Sequence, residues 1–143
     1  MAARALTAPA EGTVNLAKAG SASIAYSTST TEAHPAKDAL EESRKTFWLT
    51  TGMFPQELVI KLSRRTPLQS VKLLTVNACK VGVEVSTRDT PRDFNVVAET
   101  ELPDDGLHLE TMSMPSGTEA KFIKLCIHSG HAEFAAVYNV SAF

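Results

Sequence analysis

Lys80-Val81-Gly82-Val83-Glu84-Val85-Ser86 decides the fold. Val81, Val83 and Val85 alternate with charged, small or hydroxylic residues, a period of two that places every valine on one face of an extended strand. A helix cannot use this spacing, because its faces repeat about every 3.6 residues. Downstream, Ile123, Leu125 and Ile127 alternate with Lys124, Cys126 and His128 in the same way. Leu58, Ile60 and Leu62 form a third set, and Phe134, Ala136, Tyr138 and Val140 a fourth. Residues 71–76 and 94–99 are shorter strand candidates, and 23–28 is a weaker one.

Turn chemistry separates these runs: Arg64-Arg65-Thr66-Pro67, Arg88-Asp89-Thr90-Pro91, Pro103-Asp104-Asp105-Gly106 and Pro115-Ser116-Gly117. Only residues 36–43 offer a helical turn, too short for a βαβ crossover. The expected fold is all-β, an antiparallel β-sandwich with Greek-key or jelly-roll connections. Residues 1–12 read as a flexible leader and 13–143 as a single domain.

Composition narrows the function. The chain has 143 residues, 43% apolar and 21% charged, with a net charge of −2. No basic field exists to hold a phosphate backbone, so nucleic acid is not an expected partner. No apolar run approaches the roughly 20 residues that cross a bilayer, and Glu11 interrupts any secretory pattern. Cys79 and Cys126 both sit in strand-like runs, which reads as free thiols in a reducing, intracellular setting.

Catalytic patterns are missing from the sequence. There is no Gly-rich phosphate loop, Cys-x-x-Cys pair or Gly-x-Ser-x-Gly elbow. His128 and His131 lack a third ligand nearby in sequence, and Asp104 and Asp105 read as turn formers beside Pro103 and Gly106. The chain is expected not to be an enzyme. One segment stands apart, running from His34-Pro35 to Phe47-Trp48. Asp38, Glu41 and Thr46 offer hard oxygen ligands within nine residues, a chemistry that calcium tolerates in irregular loops. The same residues also read as a solvated helical turn leading to a core tryptophan.

His34-Pro35, Thr46-Phe47-Trp48 and Thr51-Gly52-Met53-Phe54-Pro55-Gln56-Glu57 together resemble the family of the twenty-five-kilodalton intraflagellar transport subunit, also called heat shock protein beta-eleven. The closing run 134–142 is similar to that family's last strand. The resemblance covers residues from about 14 to 143 and implies a galactose-binding-like (discoidin) jelly roll. It further implies a non-catalytic adaptor of the intraflagellar transport B complex, paired with a Rab-like small GTPase subunit and bound to other complex B subunits. The implied location is the cilium or flagellum and the cytoplasm around the basal body. A calcium site is implied in the N-terminal loop, its side-chain ligands falling at Asp38, Glu41 and Thr46. Here Glu41-Glu42-Ser43 stands where that family has an Asp-Gly-Asn-like turn: the carboxylate is kept, but a glycine free to take positive φ is lost. The small-heat-shock name brings no α-crystallin pattern with it. The alternative reading is a carbohydrate-binding module, for which this chain has six Phe, two Tyr and one Trp, mostly at strand-core positions.

Overall fold

A computed structural model describes residues 14–143, and the leader expected at 1–12 lies outside them. Nine strands run through the described residues: β1 Ala22–Ser27, β2 Trp48–Leu49, β3 Gln56–Pro67, β4 Ser70–Val76, β5 Lys80–Ser86, β6 Asn95–Glu101, β7 Leu107–Ser113, β8 Glu119–Ile127 and β9 Ala136–Ala142. They form a five-stranded sheet in the order β1-β3-β8-β5-β6 and a four-stranded sheet in the order β2-β9-β4-β7. Every strand pairing in both sheets is antiparallel.

The alternating runs face the core as the sequence predicts, and the structure shows which of them pair. Leu58, Leu125 and Val83 lie opposite one another across β3, β8 and β5, and Ile60, Ile123 and Val85 form the next row. All six are buried. From the other sheet Val71, Leu73, Val137 and Val140 close the core, with Trp48 fully enclosed. On β3 and β8 the outward side is covered as well, since Val59, Phe122 and Cys126 are also buried. Both are interior strands, flanked on either side within their sheet.

Three expectations fail. The set Phe134, Ala136, Tyr138, Val140 does not share a face: Val137 and Val140 point inward, while Phe134 is 46% exposed. A bulge causes this, because Leu74 pairs with Asn139 but Thr75 with Val137, leaving Tyr138 as an extra residue that flips the alternation. The turn expected at Arg64–Pro67 is strand instead. Thr66 and Pro67 pair with Ala120 and Glu119 after a register break, and the Arg65 Nε donates to Glu119 at 2.6 Å. The helical turn expected over 36–43 contracts to a 3-10 turn, Ala36–Leu40, after which Glu41 is already extended.

Two strands have no counterpart among the sequence candidates, the two-residue β2 and β7. In β7, Leu107 and Leu109 face solvent while His108 and Glu110 are half-buried, the reverse of the usual pattern.

Candidate functional site

The run Thr51–Glu57 earns its composition through Gln56, which is buried. Its Oε1 accepts from the Thr28 hydroxyl at 2.6 Å and from the Ser29 hydroxyl. Its Nε2 donates to the carbonyls of Thr51 at 2.9 Å and Met53 at 2.6 Å. Ser29 closes the network, its hydroxyl accepting from the Thr51 N–H at 2.8 Å and its carbonyl from the Trp48 indole at 3.0 Å. Gly52, at φ +86, turns the chain inside this loop. Met53 is thrust outward, 87% exposed.

The segment with the expected metal ligands hangs on this frame. Asp38 is half-buried inside the 3-10 turn, Glu41 caps it in the open, and Thr46 lies just before Trp48. The backbone is tied locally: the Glu41 N–H donates to the Asp38 carbonyl at 3.2 Å. From β9, Asn139 Nδ2 donates to the Glu41 carbonyl at 2.9 Å and reaches the Ala39 carbonyl at 3.5 Å. Two carbonyls of the turn are thus already occupied by an amide. The Thr46 hydroxyl is different, because it is buried and has no hydrogen-bond partner. Such an orphan costs free energy unless something fills the place of water. Among the described residues, no three His, Cys, Asp or Glu side chains gather as a metal cluster, so an ion here would need the hydroxyl and backbone carbonyls beside the carboxylates of Asp38 and Glu41. Neither Asn139 nor the stack of His34 on Phe47, centroids 4.0 Å apart with Phe47 in turn 4.9 Å from Tyr138, was anticipated from the sequence. Only the fold brings residues so distant in the chain together.

Elsewhere, side chains with catalytic chemistry are put to structural use. Cys126 Sγ lies 3.5 Å from His128 Nδ1, and His128 Nε2 lies 3.9 Å from Glu99. This row has the order of a nucleophile, a base and an orienting carboxylate, but its cysteine is buried. Burial, aided by Glu57 and Glu84, pushes the thiol pKa up to about 11, the wrong direction for a thiolate nucleophile. His131 Nε2 bonds the Leu102 carbonyl at 2.8 Å, so that nitrogen is already engaged.

His108 sits between two carboxylates, with Nε2 2.8 Å from Glu110 and Nδ1 3.4 Å from Asp105. The hydrogen bond to Glu110 raises its pKa above the ordinary value, outweighing burial, and Asp105 adds to the rise. A pKa raised by folding stabilises the native state fully below the unfolded value of about 6.5 and loses that contribution as pH climbs through the folded value. The stability difference between wild type and His108→Asn should therefore be largest near pH 6 and shrink toward pH 8. Denaturant melts across that range check it, and a difference that grows with pH would contradict the assignment.

The shape of the described residues defines the class. A family 32 carbohydrate-binding module from Clostridium perfringens, solved with GalNAc-β-1,3-galactose, superposes with a TM-score of 0.81 at 24% identity, over 91% of this chain and 99% of that one. A chitosan-binding module from a Paenibacillus chitosanase/glucanase gives 0.76 at 20% identity, over 91% and 98%. The fold is that of the galactose-binding-like jelly rolls. No family model matches the chain. Intraflagellar transport protein 25 of Chlamydomonas reinhardtii is 38% identical over 110 residues, covering 77% of this chain and 58% of the algal protein. The mouse homolog of that protein is 30% identical over 121 residues, covering 83% of this chain and 84% of its own length. The chain belongs to the intraflagellar transport protein 25 family.

Proposed function

We propose that this chain is a non-catalytic adaptor of the intraflagellar transport B complex that works in the cilium or flagellum as the stable partner of a Rab-like small GTPase subunit. The identity with intraflagellar transport protein 25 of alga and mouse carries this reading. The raised Cys126 pKa argues against nucleophilic chemistry at that thiol. Co-expression with the GTPase subunit, followed by size-exclusion chromatography in moderate salt, should give one peak containing both chains. Two separate peaks at micromolar concentration would overturn the heterodimer. They would favour a carbohydrate-binding module instead, a reading the shared fold permits and a glycan array tests.

Calcium belongs to the same proposal, held by Asp38, Glu41 and the Thr46 hydroxyl. The buried, partnerless Thr46 oxygen supports it, since a hard cation accepts such an atom. An ion bound only by the native state raises thermal stability by mass action. Millimolar calcium should therefore raise the Tm of wild type, and Asp38→Ala with Glu41→Ala should abolish the rise. Thr46→Val gives the sharper reading: it should stabilise the calcium-free chain slightly by removing an orphaned hydroxyl, yet lose much of the calcium increment. An unmoved wild-type Tm would dismiss the site.

A further inference from the structure

One cross-strand row of the five-stranded sheet brings soft and hard metal ligands together. Glu57 on β3 pairs with Cys126 on β8, Cys126 with Gly82 on β5, and Gly82 with Glu99 on β6. The row lies on the side away from the core, since Leu58, Leu125, Ile127, Val81 and Val83 take the inward side. Gly82 leaves a notch in it. A Cβ placed there would lie 3.3 Å from His128 Nε2 and 3.5 Å from the Glu99 side chain, so both lean over the glycine. His128 follows Cys126 by two residues and shares its face. Its Nδ1 lies 3.5 Å from the Cys126 sulfur, and its Nε2 lies 3.9 Å from Glu99.

The sulfur-to-nitrogen distance carries chemical meaning. Zinc holds thiolate at about 2.3 Å and imidazole nitrogen at about 2.0–2.1 Å in a tetrahedron, which sets such ligands about 3.6 Å apart. Cys126 and His128 already stand at that separation. A plain S–H···N contact accounts for the distance too, but not for the charge around it. Glu57, Glu84 and Glu99 all act on the sulfur, against the one ammonium of Lys124. Such an excess of carboxylates favours a cation.

We infer that Cys126 and His128 chelate a zinc ion, with Glu57 as the third ligand and Glu99 as the acid that orients His128. A carboxylate on the far nitrogen is how a ligating histidine is usually fixed in its tautomer. With the proton held on Nε2, the Nδ1 lone pair is left for the metal. Glu57 stands directly across from Cys126 and is 3.8 Å from Lys124, an ion pair loose enough to give way. No three-ligand cluster is preformed among the described residues, so Glu57 arrives by side-chain rotation and water fills the fourth position. On binding, the S–H bond ionises, the proton leaves to solvent, and sulfur replaces one water on zinc without any change of oxidation state. Burial first, then the charges of Glu57 and Glu84, keep the sulfur protonated without metal; a dication takes that proton's place. The His128 side chain is 44% exposed and lies between two open clefts, which gives an ion its way in. The site needs neither calcium at Asp38 nor a bound GTPase.

Cobalt(II) is the probe, because a thiolate ligand gives it a strong charge-transfer band in the near ultraviolet. The untagged chain, kept reduced with a phosphine, is titrated with cobalt and then with zinc. One cobalt per chain should raise the band, and zinc should remove it. Cys126→Ala should abolish the band, whereas Cys79→Ser, which removes the other thiol, should keep it. His128→Ala should weaken cobalt binding about 10-fold or more. It is also the readout should Cys126→Ala melt far below wild type, because His128 lies outside the core. Absence of the band from wild type at millimolar cobalt overturns the site. A band that survives Cys126→Ala, or disappears in Cys79→Ser, gives the metal to the other thiol and overturns it as well. Undiminished affinity in His128→Ala leaves a lone thiolate and overturns the chelate.

Discussion

Leu125→Ala is expected to lower the unfolding free energy by about 2–5 kcal/mol, the range for truncating a fully enclosed leucine. Leu125 lies at the middle of β8, the central strand of the five-stranded sheet, with Leu58 on one side and Val83 on the other. Its side chain is almost entirely out of water. The backbone here is held on both edges by neighbouring strands, so the site cannot collapse around the lost methyls and a cavity remains. Denaturant melts measure the loss, with an unchanged m-value showing that the unfolded state is not involved. A loss below about 0.5 kcal/mol, as for an ordinary surface change, would mean that β8 presents its other face to the core. Phe122 and Cys126 would then carry the packing.

Where the strands are central and one side is apolar, the fold is legible in the sequence. The valines of β5 and the alternating residues of β8 declare their faces because a one-residue slip would expose all of them. Legibility fails where tertiary pairing overrides the local pattern. The bulge at Tyr138 swaps the faces of β9 and depends on β4, which lies more than 60 residues earlier in the chain. Arg64-Arg65-Thr66-Pro67 has the composition of a turn, yet β8 is long enough to keep pairing with it. Proline is tolerated there because it closes the strand, where a missing N–H is cheapest. Strand β7 was invisible for another reason. Leu107 and Leu109 are exposed while His108 and Glu110 are half-buried, and a rule that seeks buried leucines cannot find a strand that turns them to solvent.

The candidate site was legible in part. Asp38, Glu41 and Thr46 were visible as oxygen-bearing side chains ahead of a tryptophan, and Trp48 is enclosed as expected. What the sequence could not show is that Asn139, 98 residues from Glu41, already holds two carbonyls of the turn. Nor could it show that the Thr46 hydroxyl is left without a partner. Satisfaction of a polar atom is a property of what surrounds it, and those surroundings come from β9. For the same reason the row Leu49, Ala136, Val76 and Leu107 across the four-stranded sheet emerges only from register, since these residues share no motif.

Gln56→Ala should cost about 3 kcal/mol or more, comparable to the loss of a core leucine although the residue is polar. Four hydrogen bonds converge on this side chain, two into Oε1 and two from Nε2. In water each would be worth little, because solvent replaces it. Here the side chain is buried, so truncation takes the amide donor from the Thr51 and Met53 carbonyls and the shared acceptor from the Thr28 and Ser29 hydroxyls, leaving the Ser29 hydroxyl its bond to the Thr51 carbonyl. A buried group left unpaired costs about 1–3 kcal/mol, and water entering the new cavity would recover only part of the sum. Gln56→Glu separates shape from hydrogen bonding. It fills the same volume, but its carboxylate faces the Thr51 and Met53 carbonyls with no hydrogen to offer, so it should be strongly destabilised at neutral pH. Protonation restores one donor, and the deficit relative to wild type should narrow as pH falls toward about 4. If Gln56→Glu matches wild type at pH 7, the amide is not donating to those carbonyls and the loop at Met53 is held by other means.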